Sequence, residues 1–349
     1  SDRYQFILPY YNFSTNLSDN YLSGETNFLS SGSNELIDTN NLKSKIINDL
    51  NFKSKNFISN FGVQNNFSVY FKNLNSVGKN DSEYKSSPQI ELMGNIDFDS
   101  TLPLIKEEQN NTKFFTPKLK LKINPSDMKN YSDTDRKINV SNIFNTNRLG
   151  LSDSLETGKS LTLGFDFKNQ NKNEFEKYFE MKLATVFRDE EESFVPKNSK
   201  IGKKNSNLFG SISNGFNEYV NLNYVFALDN NYEKFEYNDV NATISVNNFV
   251  TEFNFIEETG EMGNSNVFEN KTSYNFDQKN SLSFKTRRNR KLNLTEYYDL
   301  VYEYKNDCLT ASVKYKKSYY EDRALKPSED LMFTISLFPL TSYEQKIDN

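Results

Sequence analysis

Apolar and polar residues alternate over short stretches along almost the whole chain. In Leu309–Lys316, Leu309, Ala311, Val313 and Tyr315 fall on one face, and Thr310, Ser312, Lys314 and Lys316 on the other. Lys118–Ile123 and Leu161–Lys168 alternate as strictly. A period of two marks a β-strand whose faces meet different surroundings. The pattern predicts roughly fifteen strands, the register of a large all-β architecture. Among them are Tyr4–Tyr11, Asn56–Lys72, Pro88–Phe98, Phe115–Asn124, Lys159–Lys168, Phe179–Arg188, Glu218–Leu228, Val250–Ile256, Leu309–Tyr319 and Leu331–Phe338.

The connections differ in kind. Asn306-Asp307 and Asp277–Asn280 are tight, whereas Leu74–Ser87, Asp127–Glu156, Asp189–Asn205 and Tyr320–Asp330 are long and polar. Short turns at one end and long loops at the other are the pattern of an outer-membrane barrel, and a soluble sandwich has no reason to sort its loops this way. Several strands reach the ~9–11 residues of a tilted bilayer crossing, against ~5–6 in soluble sheets. The expected fold is all-β: an antiparallel transmembrane β-barrel over residues 1–338, with 339–349 as a C-terminal periplasmic tail. On this reading Leu309, Ala311, Val313 and Tyr315 face lipid, and Thr310, Ser312, Lys314 and Lys316 face the lumen.

Composition narrows the picture. The 349 residues are 36% hydrophobic and 26% charged. No run approaches the roughly 20 apolar residues of a spanning helix. A barrel tolerates this polarity because only alternate strand residues meet lipid. The 30 Phe and 21 Tyr argue against disorder, since disordered chains are poor in aromatics. Aromatics gather near strand ends, as at Tyr297, Tyr298, Tyr302, Tyr319, Phe333 and Phe338. They fit an interfacial girdle or the ordinary strand preference for aromatics.

The chemistry is mostly exclusion. A net charge of -5 leaves no electrostatic footprint for nucleic acid. The local basic patch Lys285–Lys291 reads either as a solvated turn or as a contact for an anionic head group. With no histidine and one cysteine, a Ser-His-Asp triad, a Cys-His dyad and a His-ligated metal are all ruled out within this chain. No carboxylate pair stands out, and the Asp133-x-Asp135 pattern lacks the rest of a calcium loop. Neither enzymatic activity nor a cofactor is expected. Ser1–Tyr4 lacks the basic, apolar, small-residue order of a signal peptide. The strand pattern begins at once, which suggests a piece cut inside a domain.

Two segments carry a resemblance. The first is Asn142–Gly158, containing Asn147-Arg148-Leu149-Gly150-Leu151-Ser152-Asp153-Ser154-Leu155-Glu156-Thr157-Gly158 and opening into the strand at Leu161. The second runs from Tyr302 through Cys308 to Tyr320–Arg323 and on to Leu331–Phe338. Both resemble the barrel portion of the LPS-assembly outer-membrane protein family LptD, in its alphaproteobacterial form. The pattern Asn147, Arg148, Gly150, Asp153, Glu156, Gly158 is the more specific of the two. The resemblance implies a very large outer-membrane barrel that transports lipopolysaccharide and inserts it into the outer leaflet. It implies a periplasmic jellyroll, absent here, which receives lipopolysaccharide from a bridge protein. It also implies a lipoprotein of the LptE type as lumen plug, and a lateral seam formed on one side by the terminal strand, Leu331, Met332, Phe333, Thr334, Ile335, Ser336, Leu337 and Phe338. Family cysteines near Cys308 form disulfides to the N-terminal region. Here position 309 is Leu, so at most one such bond is open to this chain; a free Cys308 acting as a small hydrophobe is the alternative. The Arg148–Glu156 segment is either an extracellular loop over the barrel mouth or a loop ordered by its own arginine–carboxylate pairs. A different outer-membrane barrel, porin-like channel or nutrient receptor, explains the alternation but not the motif.

Overall fold

The computed structural model of the protein describes residues 5–19, 23–37, 40–319, 327–338 and 341–348. Among them are twenty strands and two single-turn 3-10 helices, Lys197–Ser199 and Gly260–Met262. The first ten strands are β1 (Gln5–Asp19), β2 (Gly24–Ile37), β3 (Asn41–Ser54), β4 (Phe57–Ile58), β5 (Gln64–Lys79), β6 (Gln89–Thr101), β7 (Leu104–Glu107), β8 (Asn111–Asn124), β9 (Gly158–Asn171) and β10 (Tyr178–Arg188). Then follow β11 (Leu208–Gly215), β12 (Val220–Leu228), β13 (Phe235–Val246), β14 (Phe249–Glu258), β15 (Asn266–Asn275), β16 (Asn280–Asn289), β17 (Leu294–Lys305), β18 (Leu309–Ser318), β19 (Ser328–Leu337) and β20 (Thr341–Asp348). The fold class is the expected one, all-β and antiparallel, of the transmembrane-barrel type. The strand count exceeds the expected fifteen.

The chain forms two compact units. Unit 1 comprises Ser1–Leu104, Phe115–Asp166 and Ala184–Asn207; unit 2 comprises Ile105–Phe114, Phe167–Leu183 and Leu208–Asn349. In unit 1, β1, β2, β3, β5 and β6 pair antiparallel in succession. The faces of these strands are inverted relative to a soluble protein. On β8, Lys120 and Lys122 are 3% and 4% exposed, while Leu121 and Ile123 are 43% and 46% exposed. On β6, Asn95 and Asp97 are buried and Ile96 is exposed. Burying lysines while exposing leucines is costly in water and natural in lipid, where the apolar row is the solvated one.

The covered face of unit 1 is filled by its own connections. Ile47, Leu74, Tyr84, Met93 and Leu155 make one buried cluster. Ile143, Leu149 and Leu151 from 125–157, and Val195 and Ile201 from 189–207, are also buried. Leu74 explains why β5 runs on to Lys79 rather than ending in a long polar loop at Leu74. Its side chain points to the covered face and packs there, so the expected Leu74–Ser87 loop shrinks to 80–88.

In unit 2, β11 to β20 pair in an unbroken antiparallel meander. Tight turns share one device. Asn217, Asp277 and Asn306 each accept the backbone N–H groups of the second and third residues onward, at 2.7–3.0 Å. An Asx turn of this kind reverses the chain at little cost. These turns lie at one end of the meander, with 247–248; the longer connections 229–234 and 259–265 lie at the other, with 290–293.

Several expectations are corrected. β2 and β3 are not among the expected strands: Ser30-Ser31-Gly32-Ser33 carries no apolar–polar alternation, yet partners on both sides hold it in register. Residues 341–348 are not a tail but β20, paired with β19 from Leu337↔Thr341 to Asp330↔Asp348. Its alternation is carried by Thr341, Tyr343, Gln345 and Ile347, too polar a row to stand out in the sequence. Leu331–Phe338 therefore belongs largely to the penultimate described strand. Lys285–Asn289 is strand, not turn; the turn begins at Arg290. Residues 320–326, 339, 340 and 349, and with them Tyr320–Arg323, lie outside the described residues.

Candidate functional site

The motif residues Asn147–Gly158 build a buried cage on the covered face of unit 1. Glu156 is its centre. Arg148 Nε donates to Glu156 Oε2 at 2.7 Å and Arg148 Nη2 to Oε1 at 2.6 Å, a bidentate pair. Arg188, from β10, donates Nη1 to the same Oε1 at 2.6 Å. Lys122 Nζ lies 3.7 Å from Oε2 and donates to the Thr146 carbonyl. Arg148 spends its remaining three protons on Thr162 Oγ1 at 2.9 Å, Ser160 Oγ at 3.1 Å and the Ile143 carbonyl at 3.5 Å. The Glu156 backbone carbonyl accepts from Asn124 at 2.9 Å. One carboxylate thus ties β8, β9, β10 and the long connection together.

Every other motif position has a structural task. Asn147 caps its own loop, donating to the Leu151 carbonyl at 2.8 Å and accepting from the Leu151 N–H at 3.1 Å. Gly150 and Gly158 sit at φ +63 and +87, where glycine has no Cβ penalty. At Gly158 a Cβ would also stand 2.8 Å from Arg188 Nη2. Asp153 accepts from Tyr84 Oη at 2.7 Å, from Lys129 Nζ at 3.0 Å and from Tyr131 Oη. Beside it, a cleft of about 990 Å³ opens between 80–88 and 125–134, lined by Tyr84, Glu91, Met93, Lys129 and Tyr131.

Burial alone would raise both carboxyls, but their partners win. For Asp153 the hydrogen bonds of Tyr131, Tyr84 and Lys129 hold it well below the ordinary carboxylate range. For Glu156 the charges of Arg148 and Lys122, then the Arg148 hydrogen bonds and the Arg188 charge, do the same. Burial, then the bond to Asp153, pushes the Tyr84 and Tyr131 phenols up. Groups whose folded pKa is depressed stabilise above the unfolded value, about 4, and lose that contribution as pH falls through the depressed value. Both carboxylates therefore stay ionised at any physiological pH. Their chemistry is fastening.

The other expected residues lie elsewhere. On β18, Leu309, Ala311, Val313 and Tyr315 share a face with Leu300 and Tyr302 of β17 and with Leu331, Phe333, Ile335 and Leu337 of β19. Thr310, Ser312, Lys314 and Lys316 take the opposite face, where Lys314 pairs with Asp299 at 3.2 Å. Cys308 is free and exposed in the 306–308 turn, and its carbonyl accepts from the Phe338 N–H at 2.9 Å. Asp133 and Asp135 do not form a calcium loop: they bind Lys197 at 2.8 Å and Asn198 respectively.

A family model described as LPS transport system D matches residues 62–257, more than half of the chain. The chain belongs to the LptD family. The matched span contains the whole cage, from Tyr84 to Arg188. LptD proteins are outer-membrane proteins, and the outer membrane is where this chain resides. Among solved structures, the chain is similar to two mutant forms of the ferric enterobactin receptor of Pseudomonas aeruginosa. The first shares 9% identity over 95% of this chain and 62% of that one, with a TM-score of 0.43. The second, in complex with enterobactin, shares 9% over 95% and 63%, with a TM-score of 0.42. The chain thus spans less than two thirds of the length of these receptors. No curated protein matches it.

For the LptD motif, the sequence pointed to arginine–carboxylate pairing within the loop that holds Arg148, Asp153 and Glu156, without choosing the carboxylate. It did not point to Arg188, Lys122, Tyr84 or Tyr131, which complete the cage. The only available signal was Lys122 within the alternating run Lys118–Ile123, on the face destined to be covered.

Proposed function

We propose that this chain is the barrel component of a lipopolysaccharide translocon that delivers lipopolysaccharide to the outer leaflet of the outer membrane. The observation that carries the reading is the LptD family match over residues 62–257. The inverted strand faces support it, because they suit a wall between lipid and an aqueous interior. In this reading the face of Thr310, Ser312, Lys314 and Lys316 lines the lumen, and the face of Val313 and Phe333 meets lipid. A lipoprotein of the LptE type plugs the lumen. A jellyroll outside this chain takes lipopolysaccharide from a periplasmic bridge protein. The last described strand, β20, then replaces Leu331–Phe338 as this chain's side of a lateral seam. Cys308 lies at the tight-turn, periplasmic end, where an oxidising compartment favours a disulfide to the N-terminal region.

The test is depletion of the full-length protein in its native host, scoring newly made lipopolysaccharide at the cell surface against the total pool. Surface loss with internal accumulation is expected. Unchanged surface lipopolysaccharide would sink the reading.

A further inference from the structure

Among the described residues, three cations at one end of β16 have no counter-ion. Within β16, Lys285 and Arg287 are neutralised: Lys285 pairs with Glu269 at 3.1 Å and Arg287 with Glu296 at 2.8 Å. Arg288, Arg290 and Lys291 are exposed, and among the described residues no carboxylate lies within ion-pair distance of any of them. Their partners are neutral amides: Arg288 donates to Asn293 Oδ1 at 2.6 Å, and Lys291 to Asn264 Oδ1. Glu257, the acid that follows Phe255 on that face of β14, already accepts from Asn238 at 3.3 Å and Asn266 at 3.0 Å.

The surroundings are aromatic. Arg288 stands in register with Phe268 on the outward face, and the Arg290 guanidinium lies 5.5 Å from the centre of the Phe255 ring. Phe268 packs on Phe253 at 6.0 Å, and Phe284 on Tyr298 at 5.9 Å. An aromatic band followed at once by unpaired cations is the profile of a membrane interface. The band ends where the meander has its longer connections, the end that faces outward in outer-membrane barrels. An arginine resting on a ring keeps its N–H edge free for bidentate phosphate binding.

We propose that Arg288, Arg290 and Lys291 form a rim site for the phosphate of an outer-leaflet glycolipid, held as a boundary lipid and not as transported cargo. The proposal rests on the outer-membrane placement and orientation given above. A patch left uncompensated on an otherwise paired strand is explained by an anion that the membrane supplies.

The test uses the full-length protein reconstituted in nanodiscs with purified lipopolysaccharide, and counts retained glycolipid per protein by native mass spectrometry. The variants are R288Q, R290Q and K291Q together, with K271Q on the opposite face as control. Heat-modifiable gel mobility confirms that each is folded. A basic residue near an anionic surface contributes about fivefold in affinity, so the triple variant should lose on the order of a hundredfold. K271Q and enzymatically dephosphorylated lipopolysaccharide give the two references: the control should bind as wild type, and the dephosphorylated lipid should bind wild type and triple variant equally weakly. Wild-type retention by the folded triple variant, or undiminished binding of the dephosphorylated lipid, would overturn the proposal. So would complete displacement by excess inorganic phosphate, which would assign the site to the free ion. Binding is read on purified protein, so its failure is separate from any failure of the export assay.

Discussion

The two units use one strand code and treat their polar faces in opposite ways. In unit 1 that face is packed: Leu149, Leu151, Leu155 and the Glu156 cage lie buried against it. In unit 2 the polar face of β14–β18 carries a partly exposed ladder of cross-strand pairs, Lys285–Glu269 at 3.1 Å and Lys314–Asp299 at 3.2 Å among them. The strands do not account for the contrast, since both units alternate lysine with leucine or phenylalanine. The connections do. Residues 125–157 and 189–207 are long enough to fold back and bring their own hydrophobes, whereas 229–234 and 290–293 are not. Identical charges therefore have different worth: a fully enclosed pair must be complete, and a half-exposed pair is nearly dispensable.

That contrast can be broken at its strongest point first. Glu156→Ala should destabilise unit 1 by about 3–5 kcal/mol, because it strands Arg148 and Arg188 without a counter-charge. Urea unfolding of the protein in detergent, followed by heat-modifiable mobility, reads the shift; a loss below that of an exposed pair would refute the cage as a fastening. Leu155→Ala should follow at about 2–5 kcal/mol through the cavity it leaves beside Leu74 and Met93. The same unfolding curves report it, and equal loss from a leucine on the exposed row, such as Leu121→Ala, would erase the difference between the faces. In unit 2 the large effect should come from the other side. Val313→Arg should cost about 2–4 kcal/mol if that row meets lipid, measured by assembly yield in vesicles. Wild-type assembly would reverse the facing. The smallest effect belongs to Lys314→Gln, at about 0–1 kcal/mol, since Lys314 is only partly covered. A cost comparable to that of Glu156→Ala would show that unit 2's polar face is covered in the assembled protein.

Legibility in the sequence followed the same division. Strands such as Leu309–Tyr319 and Phe115–Asn124 could be read, to within a few residues of β18 and β8, because alternation is local and their apolar rows are strong. β2 and β20 could not, since Ser30–Ser33 and Thr341–Asp348 become strands through neighbours that supply the pairing. Arginine–carboxylate pairing within the loop of Arg148, Asp153 and Glu156 was visible, because those residues lie within eight positions of one another. Lys122 and Arg188 were not, because what joins them to Glu156 is a fold-back of the chain that no local period encodes.

Gly158 holds a last consequence, in the language of covariation. It starts β9 at a φ that disfavours any side chain, and the space its missing Cβ leaves is taken by the Arg188 guanidinium. Thirty positions of sequence separate the two residues, yet neither can change alone without clashing with or abandoning the other. Among relatives of this chain they should drift as a pair, and a family branch that abandons the glycine should also have abandoned the arginine.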